Sequence, residues 1–380
     1  ADPLLAKQVL SQLSYSPILF KKDVFYNIKG FNILIFLILS NNLLMKILHL
    51  ADIDSIEKPG GIEAVISNIK NYFSPKTIDH QIIYRGELSG WNFIGKAVPS
   101  KNKLYAEIDR LKPDKIMLYG STPFIWITIF LLKLKRISAK IFIIPFYHEP
   151  KSTKSPLLAA INFFFLNMVI AKNIGIGFCT NFERQKFYFL EEKNYVIQHP
   201  FFLIENNNLD EKKENYLFVG RDDTHKGLDL FFEVAEMYPE QNFVAITVPK
   251  KNRKVLRNMS ILSNLSNANL KLEYAKARIL IFPSAYESYG GVLLEALSSQ
   301  CLVIASSGVK GVEYFTNNEN VFAYKHAKDS KKNVLSIKEN IDLIKKNNLT
   351  FKHYNKNYDI YNEISTDKHI QSIGKLLDLI

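Results

Sequence analysis

From Met45 onward, short runs of continuous apolar residues alternate with helix-length stretches, and no other feature of the chain narrows its fold as much. Runs such as "KILHLA", "HQIIYR", "DKIMLYG", "KIFIIPFYH", "IGIGFCT" and "YVIQHP" lack the in–out alternation of a half-exposed strand. Strands that are apolar throughout are buried on both faces, which requires helices above and below a parallel sheet. The stretches between them, "GIEAVISNIKNYF" and "SPLLAAINFFFLNMVIAK" included, supply such helices. A polar break, "IENNNLDEKKEN" (Ile204 to Asn215), interrupts the pattern, which restarts with "YLFVGR", "FVAITVP", "RILIFPS" and "CLVIASS".

The sequence therefore predicts two doubly wound, Rossmann-like α/β domains, residues 45–203 and 216–365, joined by a linker at 204–215. Their strand carboxyl ends face a central cleft, the place where such sheets bind ligands. Residues 366–380 carry Ile370, Ile373, Leu376, Leu377 and Ile380 at helical spacing, which predicts a last helix able to cross back to the first domain. Residues 1–44 read as a leader or appended segment outside the core. Their apolar stretch, Phe31 to Ser40, is half the roughly 20 residues a membrane-spanning helix needs.

The formal charge of +12 calls for an anionic partner or a solvated basic surface. Its lysines are scattered ("KKNRK", "KDSKK", "IKKNN"), with no zinc-finger spacing and no aromatic RNA-binding motif. A phosphorylated ligand or an anionic membrane surface is expected ahead of nucleic acid. Cys179 and Cys301 form no CxxC or CxxH pattern, which argues against a disulfide framework or a structural zinc and fits a reducing compartment.

Two stretches carry chemistry. In "YLFVGRDDTHKGLDLFFEVA", Arg221 and Lys226 lie across a strand-to-helix loop. Two cations beside a helix N-terminus make a diphosphate site, although the same residues also suit a solvated turn. In "PSAYESYGGVLLEALSSQ", Gly290 and Gly291 open a helix, with Glu287 at the mouth of the loop and Glu295 one turn into the helix. Glycine permits close approach of a ligand to the backbone, and first-turn amides bind oxyanions. A carboxylate accepts two hydrogen bonds from adjacent hydroxyls, as a ribose or hexose presents them; the alternative is an ordinary helix with one exposed and one dipole-compensating glutamate.

Together, "VGRDDTHKG" and "PSAYESYGGVLLEALSSQCLVIAS" resemble the group 1 retaining glycosyltransferases of GT-B fold, with a Gly-Arg…Lys-Gly loop and Glu-x7-Glu at residues 287 and 295. "PGGIEAVISNI" is similar to that family's N-terminal glycine-rich loop, "FYHEP" to its short histidine segment, and the likeness extends over residues 45 to 380. The resemblance implies a metal-independent transferase that needs no cofactor and moves a sugar from a nucleotide-diphosphate sugar to a glycan or lipid-linked acceptor. It implies that Arg221 and Lys226 neutralise the leaving diphosphate and that Glu295 holds the ribose. Glu287 would contact the donor sugar, and Ser288, Tyr289, Gly290 and Gly291 would present backbone amides. Gly60 and Gly61 would let the N-terminal loop close over the phosphates, and His148 would lie near the anomeric carbon; a histidine after a strand is also commonly structural.

Departures from the family pattern fall at the Gln300-Cys301-Leu302 turn, where Gly-x-Pro is usual, and at "QHPFF", where Asn-Gly is usual. A short segment between "FVAITVP" and "RILIFPS" leaves the nucleotide base open. The apolar stretches "PFIWITIFLLKLKR" and "SPLLAAINFFFLNMVIAK" read as buried helices, or as a face laid on a membrane with a basic rim on anionic headgroups. The second option suits a cytoplasmic protein peripheral to the inner leaflet and engaged in surface polysaccharide or glycolipid assembly. Competing readings are a GT-B epimerase, a phosphorylase and a non-catalytic sugar-nucleotide-binding protein. The extra acid–base groups or pyridoxal context of the two enzymes are not seen, and the intact Arg221, Lys226, Glu287 and Glu295 argue against the third.

Overall fold

The computed structural model describes residues 45–52, 61–73, 78–93, 96–146, 155–170, 174–187, 195–197, 214–250, 255–315, 318–352, 371–375 and 377. Met45–Ile380 forms one compact unit, distinct from residues 1–44, and the description that follows concerns that unit.

Its first half runs β1 (Met45–Ala51), α1 (Gly61–Tyr72), β2 (Ile78–Tyr84), β3 (Ser89–Phe93), β4 (Lys96–Pro99), α2 (Lys101–Leu111), β5 (Lys115–Tyr119), α3 (Pro123–Lys135), β6 (Lys140–Ile144), α4 (Pro156–Val169), β7 (Ile174–Phe178) and β8 (Tyr195–Ile197). Six of these strands pair in parallel in the order β2-β1-β5-β6-β7-β8, and β3 and β4 form a separate antiparallel hairpin. The central strands are the most apolar; all five residues of β5, "KIMLY", are buried. Helix starts follow from local chemistry: Ser100 Oγ accepts from the Lys103 amide to cap α2, and Pro123 and Pro156 stand at the first turns of α3 and α4, where no amide hydrogen is needed.

The second half runs β9 (Asn215–Val219), α5 (Leu228–Met237), β10 (Phe243–Ile246), β11 (Met259–Leu262), α6 (Asn267–Lys276), β12 (Ala277–Phe282), α7 (Gly291–Ser298), β13 (Leu302–Ser306), β14 (Val321–Tyr324) and α8 (Ser330–Lys346). Its six strands are again parallel, in the order β11-β10-β9-β12-β13-β14. Both sheets therefore reverse their winding beside the first strand, between β1 and β5 in one and between β9 and β12 in the other. Helices cover both faces, and a buried cluster containing Ile47, Ile69, Leu217, Leu280, Leu293, Ile373 and Leu377 draws on both halves of the chain. Residues 371–375 are helical, and the Lys115 ammonium at the start of β5 donates to the Leu377 carbonyl.

The two halves also meet above their strands. The Asn181 amide, just past β7, donates to the Tyr314 hydroxyl at 2.8 Å, and the Lys310 ammonium lies 4.6 Å over the Phe182 ring. Within the first sheet, buried His49 bonds Tyr119 Oη through Nδ1 at 2.7 Å and His80 Nδ1 through Nε2 at 2.9 Å. His80 Nε2 donates to the Phe73 carbonyl at 3.1 Å. Burial, assisted by His80 and Lys70, lowers the His49 pKa to about 3, so the ring is neutral.

The two apolar helices differ. α3 buries Phe124, Ile125, Ile129 and Leu132 as expected, whereas α4 buries Leu166 alone among its described side chains. Leu157, Phe164 and Met168 of α4 are 73%, 60% and 65% exposed. The expectation of a buried helix fails for α4 because its apolar residues run all round the helix and only one side meets the fold; Trp126 of α3 stacks on Phe165 there, with ring centroids 4.9 Å apart.

Candidate active site

The loops that follow β9 and β12 flank the switch point of the second sheet, so its topology alone brings the two chemistry-bearing stretches together. The loop after β9 crosses a turn of 3-10 helix, Thr224–Lys226, and reaches α5 through Gly227, whose φ is +77°. A Cβ on Gly227 would lie 2.9 Å from the ring and carbonyl of Pro283. The Ala285 amide donates to the His225 carbonyl at 2.7 Å. Glycine at 227 thus lets the two loops pack directly, with a hydrogen bond between them.

Lys226 and Glu287 form an ion pair across these loops, with side chains 18% and 17% exposed. The Ser284 hydroxyl also faces Glu287 Oε1, at 3.4 Å. The carboxylate that lacked a basic neighbour in sequence has one in space, 61 residues away. Arg221 points elsewhere. Its side chain is 76% exposed and its Nε lies 3.4 Å from Asp223 Oδ2. The expected convergence of the two cations is not seen, because Asp223 and Glu287 each engage one of them. A hydrogen bond from Lys250, joined by the charge of Arg221, holds the Asp223 carboxyl below its usual range.

The loop from Glu287 to Gly290 is fixed along its backbone. Glu287 accepts from the Lys310 amide and donates its own amide to Gly308, both at 3.0 Å, and the Gly311 amide donates to Tyr289 at 3.0 Å. Gly308 and Gly311 permit this contact, since a Cβ on either would sit 2.1 Å from a carbonyl oxygen, of Ala285 and Tyr289 respectively. Nothing in the sequence marks these two glycines beyond each following the buried strand β13 closely. Tyr289 is buried and Ser288 half-buried. Gly290 caps α7 with φ +93°, and a Cβ there would lie 2.7 Å from Val309. Beside Gly291 the space is open, with nothing within 4 Å of a Cβ. The Leu293 amide donates to the Gly290 carbonyl at 2.9 Å, and the Gly291 and Val292 amides before it, which a helix start leaves without an intrahelical acceptor, offer donors and positive dipole beside room for a ligand.

Glu295 lies one turn further on, half-buried, with Oε2 accepting from the Tyr274 hydroxyl at 2.6 Å. Burial raises its carboxyl pKa, an effect the tyrosine hydrogen bond offsets only in part. α7 ends in a Schellman turn: the Cys301 amide donates to Ala296 and the Gln300 amide to Leu297. Gln300 occupies the left-handed position at φ +60°. Gly61 begins α1, while Gly60 and His148 lie outside the described residues.

Residues 201–358 match the family model described as glycosyl transferases group 1. That span is a group 1 glycosyltransferase domain. It contains Arg221, Lys226, the Glu287–Gly291 loop and Glu295. No curated protein matches the chain in sequence. Solved structures match it in fold. Anabaena Alr3699/HepE in complex with UDP-glucose is 13% identical with a TM-score of 0.65, covering 88% of this chain and 100% of its own. The lipopolysaccharide outer core galactosyltransferase WaaB is 14% identical, TM-score 0.61, covering 88% and 99%. WaaG, a glycosyltransferase involved in lipopolysaccharide biosynthesis, is 13% identical, TM-score 0.55, covering 87% and 94%. The fold is GT-B, two parallel Rossmann-like sheets. Among the described residues no three His, Cys, Asp or Glu side chains group as a metal would require, and no helix is long and apolar enough to cross a membrane.

Proposed function

We propose that this group 1 glycosyltransferase is a retaining, metal-independent enzyme that moves a hexose from a nucleotide-diphosphate sugar to a glycan or lipid-linked acceptor. The observation that carries the reading is the meeting of Lys226, Glu287 and the α7 N-terminus at the switch point between β9 and β12. A diphosphate seated on the α7 amides draws Lys226 toward it, and Arg221, 76% exposed with its Nε beside Asp223, swings in as a second cation. Glu287 contacts the sugar hydroxyls with Ser288 and Tyr289 alongside, and Glu295 holds the ribose. As the family resemblance implies, Gly60 and Gly61 serve the phosphates and His148 the anomeric carbon.

In the reaction the bond between the anomeric carbon and the diphosphate oxygen breaks, and negative charge gathers on that oxygen. Fixed amides and cations stabilise this charge without reorganising, which lowers the barrier. The acceptor hydroxyl attacks from the same face, and the departing phosphate takes its proton. Configuration is retained, with Glu287 as a positioning group rather than the base.

We further assign the acceptor side to an anionic inner-leaflet surface in the cytoplasm. The exposed Leu157, Phe164 and Met168 of α4 form an apolar surface, and the ammonium of Lys133, at the end of neighbouring α3, donates to the Val169 carbonyl at the end of α4 and sets one cation beside it. Surface polysaccharide or glycolipid assembly fits an acceptor presented there.

The decisive experiment is thermal-shift titration of the full chain with a panel of nucleotide-diphosphate sugars in EDTA, with Arg221→Ala/Lys226→Ala alongside. Saturable stabilisation by one donor, lost in the double variant, is expected. Transfer to the acceptor then gives a product whose anomeric configuration, read by NMR, matches the donor. A folded protein that no donor stabilises, or a product of inverted configuration, refutes the reading.

A further inference from the structure

The hydroxyl of Tyr274 is engaged by Glu295, at 2.6 Å. Tyr274 sits on α6, is fully buried, and is held at its backbone as well, since its carbonyl faces Cys301 Sγ at 3.3 Å. Its ring packs in the same cluster as Leu293 and Leu297 of α7. The phenol is thus fixed by core packing, whereas a glutamate side chain has three rotatable bonds and no orientation of its own.

A buried tyrosine needs an acceptor, but a backbone carbonyl or an amide side chain would serve at smaller desolvation cost than a carboxylate. The carboxylate is retained here against that cost, and its second oxygen, Oε1, is not used by the tyrosine. Pinning Oε2 sets the plane of the group and directs Oε1, so the rotamer freedom a ligand would otherwise have to freeze is already removed.

We propose that Tyr274 is a positioning residue for donor recognition, its hydroxyl orienting the Glu295 carboxylate to receive the ribose hydroxyls of the nucleotide. The inference rests on the assignment of Glu295 to the ribose made above. Tyr274 touches no substrate; its effect passes wholly through Glu295.

The test is calorimetric titration of the full chain with UDP, GDP and ADP, followed by the 2′-deoxy and 3′-deoxy forms of whichever binds tightest. Tyr274→Phe keeps the ring and removes the hydroxyl. It is expected to weaken the ribonucleotide about 10-fold, the loss of one charge-assisted hydrogen bond of modest strength, and to change the deoxy forms less than twofold. Equal weakening of both forms signals general disruption of α6 and overturns the proposal, as does no change with the ribonucleotide. If the wild-type protein fails to distinguish ribose from deoxyribose, or binds none of the three diphosphates, the ribose assignment falls and the proposal with it. If Glu295→Gln abolishes the distinction and Tyr274→Phe preserves it, only the proposal falls. Glu295→Gln and Glu295→Gln/Tyr274→Phe are expected to bind alike. This comparison decides the matter even if the single phenylalanine variant fails to fold, and a difference between the two refutes action through Glu295.

Discussion

On the proposed function Lys226 has two partners to serve, Glu287 in the free protein and the diphosphate in the bound one, and replacing it separates them. Lys226→Met keeps the length and apolar stem of the side chain and removes the charge. The ion pair it breaks is more than four-fifths withdrawn from water, with 18% and 17% of the side chains exposed, which sets it above an exposed surface pair of about 0–1 kcal/mol. Ser284 still faces the carboxylate, so the cost stays near the low end for charged hydrogen bonds, about 1.5 kcal/mol. Donor binding loses a cation–phosphate contact of about 1.5–3 kcal/mol, or about 10- to 150-fold in Kd. Adding Glu287→Gln removes the stranded carboxylate. The double variant is expected to recover about 1 kcal/mol of stability in urea unfolding while its affinity for the nucleoside diphosphate stays low. Stability and affinity that fall and recover together refute the argument, since Lys226 would then serve only as the structural partner of Glu287.

Three further outcomes are expected. Gln300→Gly relieves the left-handed residue of the α7 Schellman turn and is expected to stabilise the protein by about 1 kcal/mol, read as a rise in the urea midpoint at unchanged slope. His49, with a folded pKa of about 3 against about 6.5 unfolded, is neutral in the folded protein while the unfolded chain takes up its proton below pH 6.5. Stability is therefore fully present above that pH and lost as pH falls toward 3, by about 2 kcal/mol at pH 5 from this group; unfolding of wild type and His49→Asn at pH 7.5 and 5 measures it, and His49→Asn should show the smaller drop. Finally, Leu157→Ser/Phe164→Ser/Met168→Ser is expected to reduce co-sedimentation with phosphatidylglycerol vesicles several-fold at unchanged nucleotide affinity. Equal sedimentation would remove α4 from the membrane reading.

The central strands were legible because burial on both faces writes them as unbroken apolar runs. The strands that escaped were at edges or outside the main sheets. β11, "MSIL", and β14, "VFAY", have half-covered faces and four residues each, and the β3–β4 hairpin stands apart, so their patterns merge with surrounding loop. In the site, the spacing of Glu287 and Glu295 and the two glycines between them were readable because a loop-to-helix turn is local. The Lys226–Glu287 pair and the Tyr274–Glu295 hydrogen bond were not, since each joins residues that only the sheet order makes neighbours. Gln300 illustrates a third case: the sequence shows that a glycine is missing, but only the backbone shows that glutamine has adopted glycine's conformation.

The seam at which Gly227 rests on Pro283 and the Ala285 amide meets the His225 carbonyl has a bearing on how a turnover ends. On the proposed function, a spent nucleotide leaves without those two loops drawing apart, because each forms part of the other's support. The side facing the first half of the chain is closed by lighter contacts, the Tyr314–Asn181 hydrogen bond and the Lys310–Phe182 cation–ring contact. Loosening that bridge at Phe182 or Tyr314 is then expected to speed release of the nucleotide, read in a stopped-flow displacement assay, while the Gly227–Pro283 seam stays intact.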